Sequence, residues 1–290
     1  MNYTKLTSFY KKKLLMKKKL KLHGFEVEMN EGNNYAEIIS IHPLFNAPLV
    51  DLVYNLSAEL KRKLFFIDIG AACGDTVLLI EERCPGAIRE YLCVEGDAEF
   101  SMYLRKNMAQ FQNVQIIQTM LAGESTYVNE LVKHHKGTAA CLGKEKVKAL
   151  PLDDVLEEIK FIPDIIKIDV DGFDGEVIRG ARKLLSINRP AVIFEWHPKL
   201  CINAGQSCKT HFKVLNECGY NRFLWFDNTG EFSHFSSSSD FNTITLTRDF
   251  LIKVNQRRDQ HFDIIAFHET RNIDAIKIAS LNYSKGILNK

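Results

Sequence analysis

The sequence predicts an α/β fold: a doubly wound, mostly parallel sheet with helices on both faces. Three observations predict it. An apolar run over residues 64–69 ends in a loop of small residues, and a helical pattern starts at Asp75. Similar runs and helical patterns then alternate as far as residue 194. The runs are short and continuous rather than alternating, as in strands buried on both faces. Strand–helix–strand order makes neighbouring strands parallel.

Residues 1–63 read as a basic helix followed by a lid or cap. Lys11, Lys12 and Lys13, then Lys17, Lys18, Lys19 and Lys21, interleave with Leu14, Leu15, Met16, Leu20 and Leu22. This pattern predicts a basic amphipathic helix over residues 1–24. It would pack on the domain by its leucines or lie on an anionic membrane surface. Residues 25–29 and 35–41 alternate, and residues 48–63 carry a helical pattern.

The loop after the first strand reads Asp68-Ile69-Gly70-Ala71-Ala72-Cys73-Gly74-Asp75. Small residues let a ligand lie against the backbone. The helix start adds free N–H groups pointing at the same place. The dinucleotide pattern G-x-G-x-x-G is absent, and Asp68 and Asp75 would repel a pyrophosphate. They suit a ligand carrying positive charge, such as an ammonium or a sulfonium. A second strand, residues 91–94, leads to Glu95 and Gly96. A carboxylate at that strand end can accept two hydrogen bonds from ribose hydroxyls. A helix over 98–111 and a strand over 114–119 follow, and Ala122 sits at the next strand end. Residues 123–150 are polar and less regular, and His134 and His135 read as solvated.

A short helix opens at Leu152, with Asp153 and Asp154 in its first turn. The fourth strand, residues 165–170, is interrupted by Lys167 and Asp169. A central strand tolerates such charges only when they are paired or functional. A helix with its core face at Val177, Ile178, Ala181, Leu184 and Leu185 leads to the fifth strand, residues 190–194. That strand ends in Glu195-Trp196-His197-Pro198. Ends of adjacent parallel strands open into one crevice. Lys167, Asp169, Glu195 and His197 are therefore the expected catalytic cluster, with Asp169 or His197 taking a proton; a histidine titrates near neutrality. Asp169, Asp171 and Asp174 could instead bind a divalent cation, a reading that is not favoured. Further on, the sequence predicts a helix over 210–218, a hairpin around Asn228-Thr229-Gly230, a helix over 247–260 and a short strand over 263–267.

These residues carry a resemblance. The run L-D-D-V-L from Leu152, I-I-K-I-D-V-D-G-F-D-G-E-V-I-R-G-A from Ile165 and R-P-A-V-I-F-E-W-H from Arg189 resemble FkbM-type methyltransferases. The D-I-G-A-x-x-G-D loop from Asp68 and the V-E-G strand end at Glu95 match as well. The resemblance covers about residues 64–200. It implies a class I, Rossmann-like methyltransferase domain, here bounded at 64–270 with a tail at 271–290, in which a late strand inserts antiparallel. It implies S-adenosylmethionine as cofactor, at Asp68, Gly70, Ala72, Gly74, Asp75, Glu95, Gly96 and Ala122. The activity it implies is O-methylation of a hydroxyl on a sugar, glycan or small metabolite. The chain departs from the pattern at Asp171 and Asp174, where many members carry glutamate, and at Gly96, where proline is frequent.

Two rival readings are weaker. Nucleic acid methyltransferases that act on base amino groups carry an N-P-P-Y-like motif after the fourth strand, where this chain has D-V-D-G; nucleic acid is not an expected partner. A non-catalytic binding protein with this fold would have no need of intact Asp68, Gly70, Gly74 and Glu95. The net charge of +2 favours no polyanion. Seven cysteines without C-x-x-C spacing read as reduced thiols rather than a disulfide or zinc framework. No apolar run is long enough to span a bilayer and no signal-peptide pattern opens the chain. The expected location is the cytoplasm, at most peripheral to a membrane.

Overall fold

The computed structural model describes residues 17–30, 32–129, 131–135, 138–140, 144–237, 240–271 and 278. It opens with β1 (Lys17–Leu22), β2 (Phe25–Asn30), α1 (Tyr35–Ile41) and α2 (Ala47–Leu60). Then come β3 (Leu64–Ile69), α3 (Asp75–Arg83), β4 (Ile88–Glu95), α4 (Ala98–Met108) and β5 (Val114–Gln118). Short strands follow: β6 (Met120–Leu121), β7 (Thr126–Asn129), β8 (Val132–His135), β9 (Thr138–Ala140) and β10 (Lys146–Leu150). Next are α5 (Leu152–Ile159), β11 (Ile165–Ile168), α6 (Asp174–Arg179), α7 (Arg182–Ile187) and β12 (Ala191–Trp196). The last are α8 (Pro198–Asn203), α9 (Thr210–Glu217), β13 (Tyr220–Asp227), β14 (Phe232–Ser236), α10 (Phe241–Val254) and β15 (Phe262–His268).

Eight strands form the central sheet in the order β14-β13-β15-β12-β11-β3-β4-β5. From β12 to β5 every neighbouring pair is parallel. β15 inserts antiparallel between β12 and β13, as the resemblance implied. The chain order reverses at β3, which has β4 on one side and β11 on the other, so a crevice opens at their carboxyl ends. Alternation along the strands divides the core between the two faces. Phe66, Tyr91, Ile193 and Ile265 pack on one face, and Ile67, Leu92, Val192 and Ile264 on the other.

Several expectations are corrected. Residues 17–22 are a strand rather than part of a basic helix. β1 pairs antiparallel with β2, and Lys19 faces Glu28 at 3.6 Å. Cross-strand charge pairing of this kind favours a hairpin over a helical lysine stripe. Lys11 to Lys13 lie outside the described residues. Residues 35–41 are helical, not an alternating stretch. Residues 123–150 are not wholly irregular: β7 and β10 join β6 in a small sheet in the order β6-β10-β7. The helix read through Ala181 breaks there into α6 and α7. α10 starts six residues before the expected position because the Asp240 side chain caps it, accepting from the Thr243 N–H at 3.1 Å.

Candidate active site

The glycine loop is held by the sheet it leaves. Gly70 and Ala71 donate backbone N–H groups to the Val94 carbonyl, at 3.0 and 3.2 Å. Gly70 has φ +78°, and a Cβ there would lie 1.9 Å from the Asp169 carbonyl oxygen. A side chain would push the ends of β3 and β11 apart, so this position requires glycine. On the far side, Asn107 of α4 donates to the carbonyls of Cys73 and Glu28, both at 2.8 Å. It accepts from the Glu28 N–H as well. One buried amide thus ties the loop to β2.

Glu95 closes the other side of the loop. Its Oε2 accepts from the Ala72 N–H and its Oε1 from the Asp97 N–H, each at 2.8 Å. Each oxygen keeps a second lone pair for a ligand. Burial pushes the Glu95 carboxyl up to about 7, against the opposing pull of the two backbone donors.

Lys167 stands among carboxylates. Its Nζ lies 3.4 Å from Asp68 Oδ1 and 3.3 Å from Asp169 Oδ2. Burial would lower its pKa, but Asp68, Asp169 and Asp75 together hold the ammonium above its usual value. Burial also raises Asp68, and it raises Asp75 to about 6. Asp68 is wholly buried, whereas the Asp169 side chain is 47% exposed.

These groups surround a cavity of about 670 Å³. Gly70, Ala72, Asp75, Glu95, Gly96 and Ala122 line it, together with Lys167 and Asp169. Asp68 and Gly74 are not among its lining residues. Asp68 lies beneath, anchoring Lys167, and Gly74 starts α3 with φ +90°. Thr126 and Val128 of β7, with Leu131 just beyond it, form one wall, and Asn33, Asn34, Tyr35 and Ile38 form another.

The sequence match that decides the family spans residues 22–222, against the model described as Methyltransferase FkbM domain. The chain belongs to this family. The match reaches beyond residues 64–200, from Leu22 at the end of β1 through α2 and on to Arg222 in β13. Among curated proteins none matches. Among solved structures the chain is similar to a methyltransferase FkbM from Methylobacillus flagellatus KT, with 13% identity and a TM-score of 0.41. That alignment covers 71% of this chain and 44% of the other, so the chain spans under half of that protein's length. It is also similar to a precorrin-6y C5,15-methyltransferase from Geobacter metallireducens GS-15, at 13% identity and TM-score 0.42, covering 77% and 87% of the two chains. A third is the Methanococcus jannaschii fibrillarin pre-rRNA processing protein, at 12% identity and TM-score 0.42, covering 89% and 85%.

Residues 22–222 carry a methyltransferase-family domain, and the family implies S-adenosylmethionine as methyl donor. The cavity fits that cofactor. The remaining lone pairs of Glu95 suit a ribose diol, and Asp75 and Asp169 suit the positive charge of an ammonium and a sulfonium.

The expected catalytic cluster divides in this FkbM domain. Lys167 and Asp169 reach the cavity; Glu195 and His197 are not among its lining residues. Instead, Glu195 Oε2 lies 3.3 Å from His261 Nε2, and His197 Nε2 lies 2.9 Å from Asp259 Oδ1. His197 Nδ1 accepts from the Leu200 N–H at 3.4 Å and caps α8. Burial and the neighbouring Asp169, Asp174, Asp171 and Asp263 raise Glu195 well above the usual carboxylate range. The Asp169–Asp171–Asp174 cation reading is corrected as well. Asp174 turns inward, accepting from the Gly172 N–H at 3.1 Å and the Val170 N–H at 3.4 Å. Among the described residues the three do not converge as a ligand set.

Sequence reasoning missed Asn107, Tyr35, Asn33 and Arg179. Asn107 carried a signal: it falls on the core stripe of α4 with Phe100, Tyr103 and Leu104, where an amide needs a purpose. Arg179 lines the cavity, held by Glu176 at 2.6 Å and close to Glu124 at 3.7 Å. Its partner at i−3 was visible in the sequence, but the cavity beside it was not. Among the described residues no helix is long and apolar enough to cross a membrane.

Proposed function

We propose that this FkbM methyltransferase methylates a hydroxyl group on a sugar, glycan or small polyhydroxylated metabolite, with Asp169 as general base. The observation that carries this reading is the Lys167–Asp169 pair in the cavity wall. Asp169 combines exposure with a fixed position, because its partner Lys167 is itself anchored on buried Asp68. A hydroxyl is a poor nucleophile, and a carboxylate in reach of its proton aids its attack. S-adenosylmethionine, when bound, supplies an electrophilic methyl group on a sulfonium.

The chain's own residues would do the rest. Glu95 would orient the ribose and the glycine loop would receive the amino acid end. The walls would keep water from the reacting atoms. Asn33, Asn34, Asn203 and Gln206 bring amide groups to the same cavity, and paired donors and acceptors of this kind suit a polyhydroxylated acceptor. The described cysteines are free thiols, which supports a reducing compartment such as the cytoplasm.

The test is transfer of labelled methyl from S-adenosylmethionine to a panel of mono- and oligosaccharides and hydroxylated metabolites, with the methylated atom located by mass spectrometry. Label on an oxygen of a hydroxylated acceptor, lost in Asp169→Asn, is the expected result. Label appearing only on nucleic acid or protein would overturn the proposal.

A further inference from the structure

Behind the cavity, where β12 ends and β15 begins, His197, Asp259 and His261 converge. One ring nitrogen from each histidine and a carboxylate oxygen of Asp259 all lie within 4.8 Å of one another. None of the three lines the cavity described above. Their rings and carboxylate come from two chain segments, residue 197 after β12 and residues 259–261 before β15. The imidazoles stack with centroids 5.3 Å apart and planes 24° off parallel.

The second observation concerns His261. Its Nε2 faces the carboxylate of Glu195 at 3.3 Å, while its Nδ1 is buried with no hydrogen-bond partner among the described residues. A buried ring nitrogen without a partner is costly. A histidine that binds a metal through one nitrogen commonly donates its other N–H to a carboxylate, which fixes ring and tautomer. Glu195 stands where that carboxylate belongs.

We propose that His197, Asp259 and His261 bind one divalent transition-metal ion of the zinc class, with His261 Nδ1 as a ligand and Glu195 as its outer partner. Two imidazoles and one carboxylate favour zinc, cobalt or nickel over magnesium or calcium, which prefer all-oxygen sites. Binding through His197 Nε2 gives up the 3.4 Å contact from the Leu200 N–H to Nδ1, a weak hydrogen bond at that length. The ion would clamp the segment before β15 onto the end of β12. It is a tether beside the acceptor cavity, independent of the methyl-transfer chemistry.

The experiment uses the full chain without a histidine tag, stripped with EDTA and titrated with zinc chloride by calorimetry. Cobalt is used in parallel for its visible absorption bands. One ion per chain at micromolar affinity or tighter is expected, with no competition from millimolar magnesium. His261→Gln should abolish the cobalt bands. Asp259→Asn should weaken zinc binding at least tenfold; the Asp259 side chain is 73% exposed, so this variant keeps the fold and decides the matter even where His261→Gln does not fold. Absence of stoichiometric uptake by the wild-type chain, or uptake unchanged in folded Asp259→Asn, would overturn the site.

Discussion

β11 leads into Lys167-Ile168-Asp169 and β12 into Glu195-Trp196-His197, two adjacent strand ends with ionisable side chains at alternate positions. In the sequence they look equivalent. In the fold, the first pair stands between β3 and the cavity, where Asp68 anchors it. The second stands beside β15, whose approach supplies His261 and Asp259. Charges at the end of a buried strand mark the functional end of a sheet, but the neighbouring strand decides what each charge does. β15 is distant in sequence and antiparallel, and it draws Glu195 and His197 away from the cavity.

The largest expected effect tests the anchor. Lys167→Met leaves Asp68 buried without its cation and should cost roughly 3–5 kcal/mol of stability in denaturant unfolding. Adding Asp68→Asn should recover part of that loss. A Lys167→Met protein as stable as wild type would break the claim that this pair is anchored from below.

Next is the contrast in activity. Asp169→Asn should lower turnover by ~100-fold or more while leaving the unfolding midpoint nearly unchanged. His197→Ala should leave turnover within a few-fold. Equal losses in the two variants would erase the distinction between the strand ends.

Glu95 gives a smaller effect on binding. Glu95→Ala should lose roughly 1–3 kcal/mol of affinity for S-adenosylmethionine or its demethylated product in calorimetric titration; unchanged curves would remove Glu95 from the ribose site. The same residue sets a pH dependence. Burial raises Glu95 to about 7, Asp75 to about 6 and Asp263 to about 7. Between about pH 4 and 7 the folded chain therefore holds protons that the unfolded chain has released. Their contribution to stability is greatest below that window and declines as pH rises through it. Thermal melts at pH 5 and pH 8 should show this decline, and Glu95→Gln should reduce it.

The smallest effect belongs to the second strand end. His197 caps α8 and bonds Asp259. His197→Ala should cost on the order of 1 kcal/mol in thermal unfolding. A loss in catalysis with no loss in stability would reverse the assignment made for it.

The sequence by itself determined the sheet from residue 64 onward, the glycine loop, Glu95 and the Lys167–Asp169 interruption. These are local signals: a buried strand, a tight turn and a helix start lie within a dozen residues of each other, and their chemistry shows in contiguous residue types. FkbM motifs could be read for the same reason. Only the tertiary structure decided that residues 17–22 pair as a strand, because Glu28 becomes their partner across a turn. Only it placed Asn33 to Ile38 and the β6-β10-β7 sheet on the cavity wall, since a short local pattern does not show which surface its segment packs against. Only it separated Asp169 from His197. That separation depends on which strand lies beside β12, and β15 arrives there from more than sixty residues downstream, a distance over which local residue patterns carry no information about pairing.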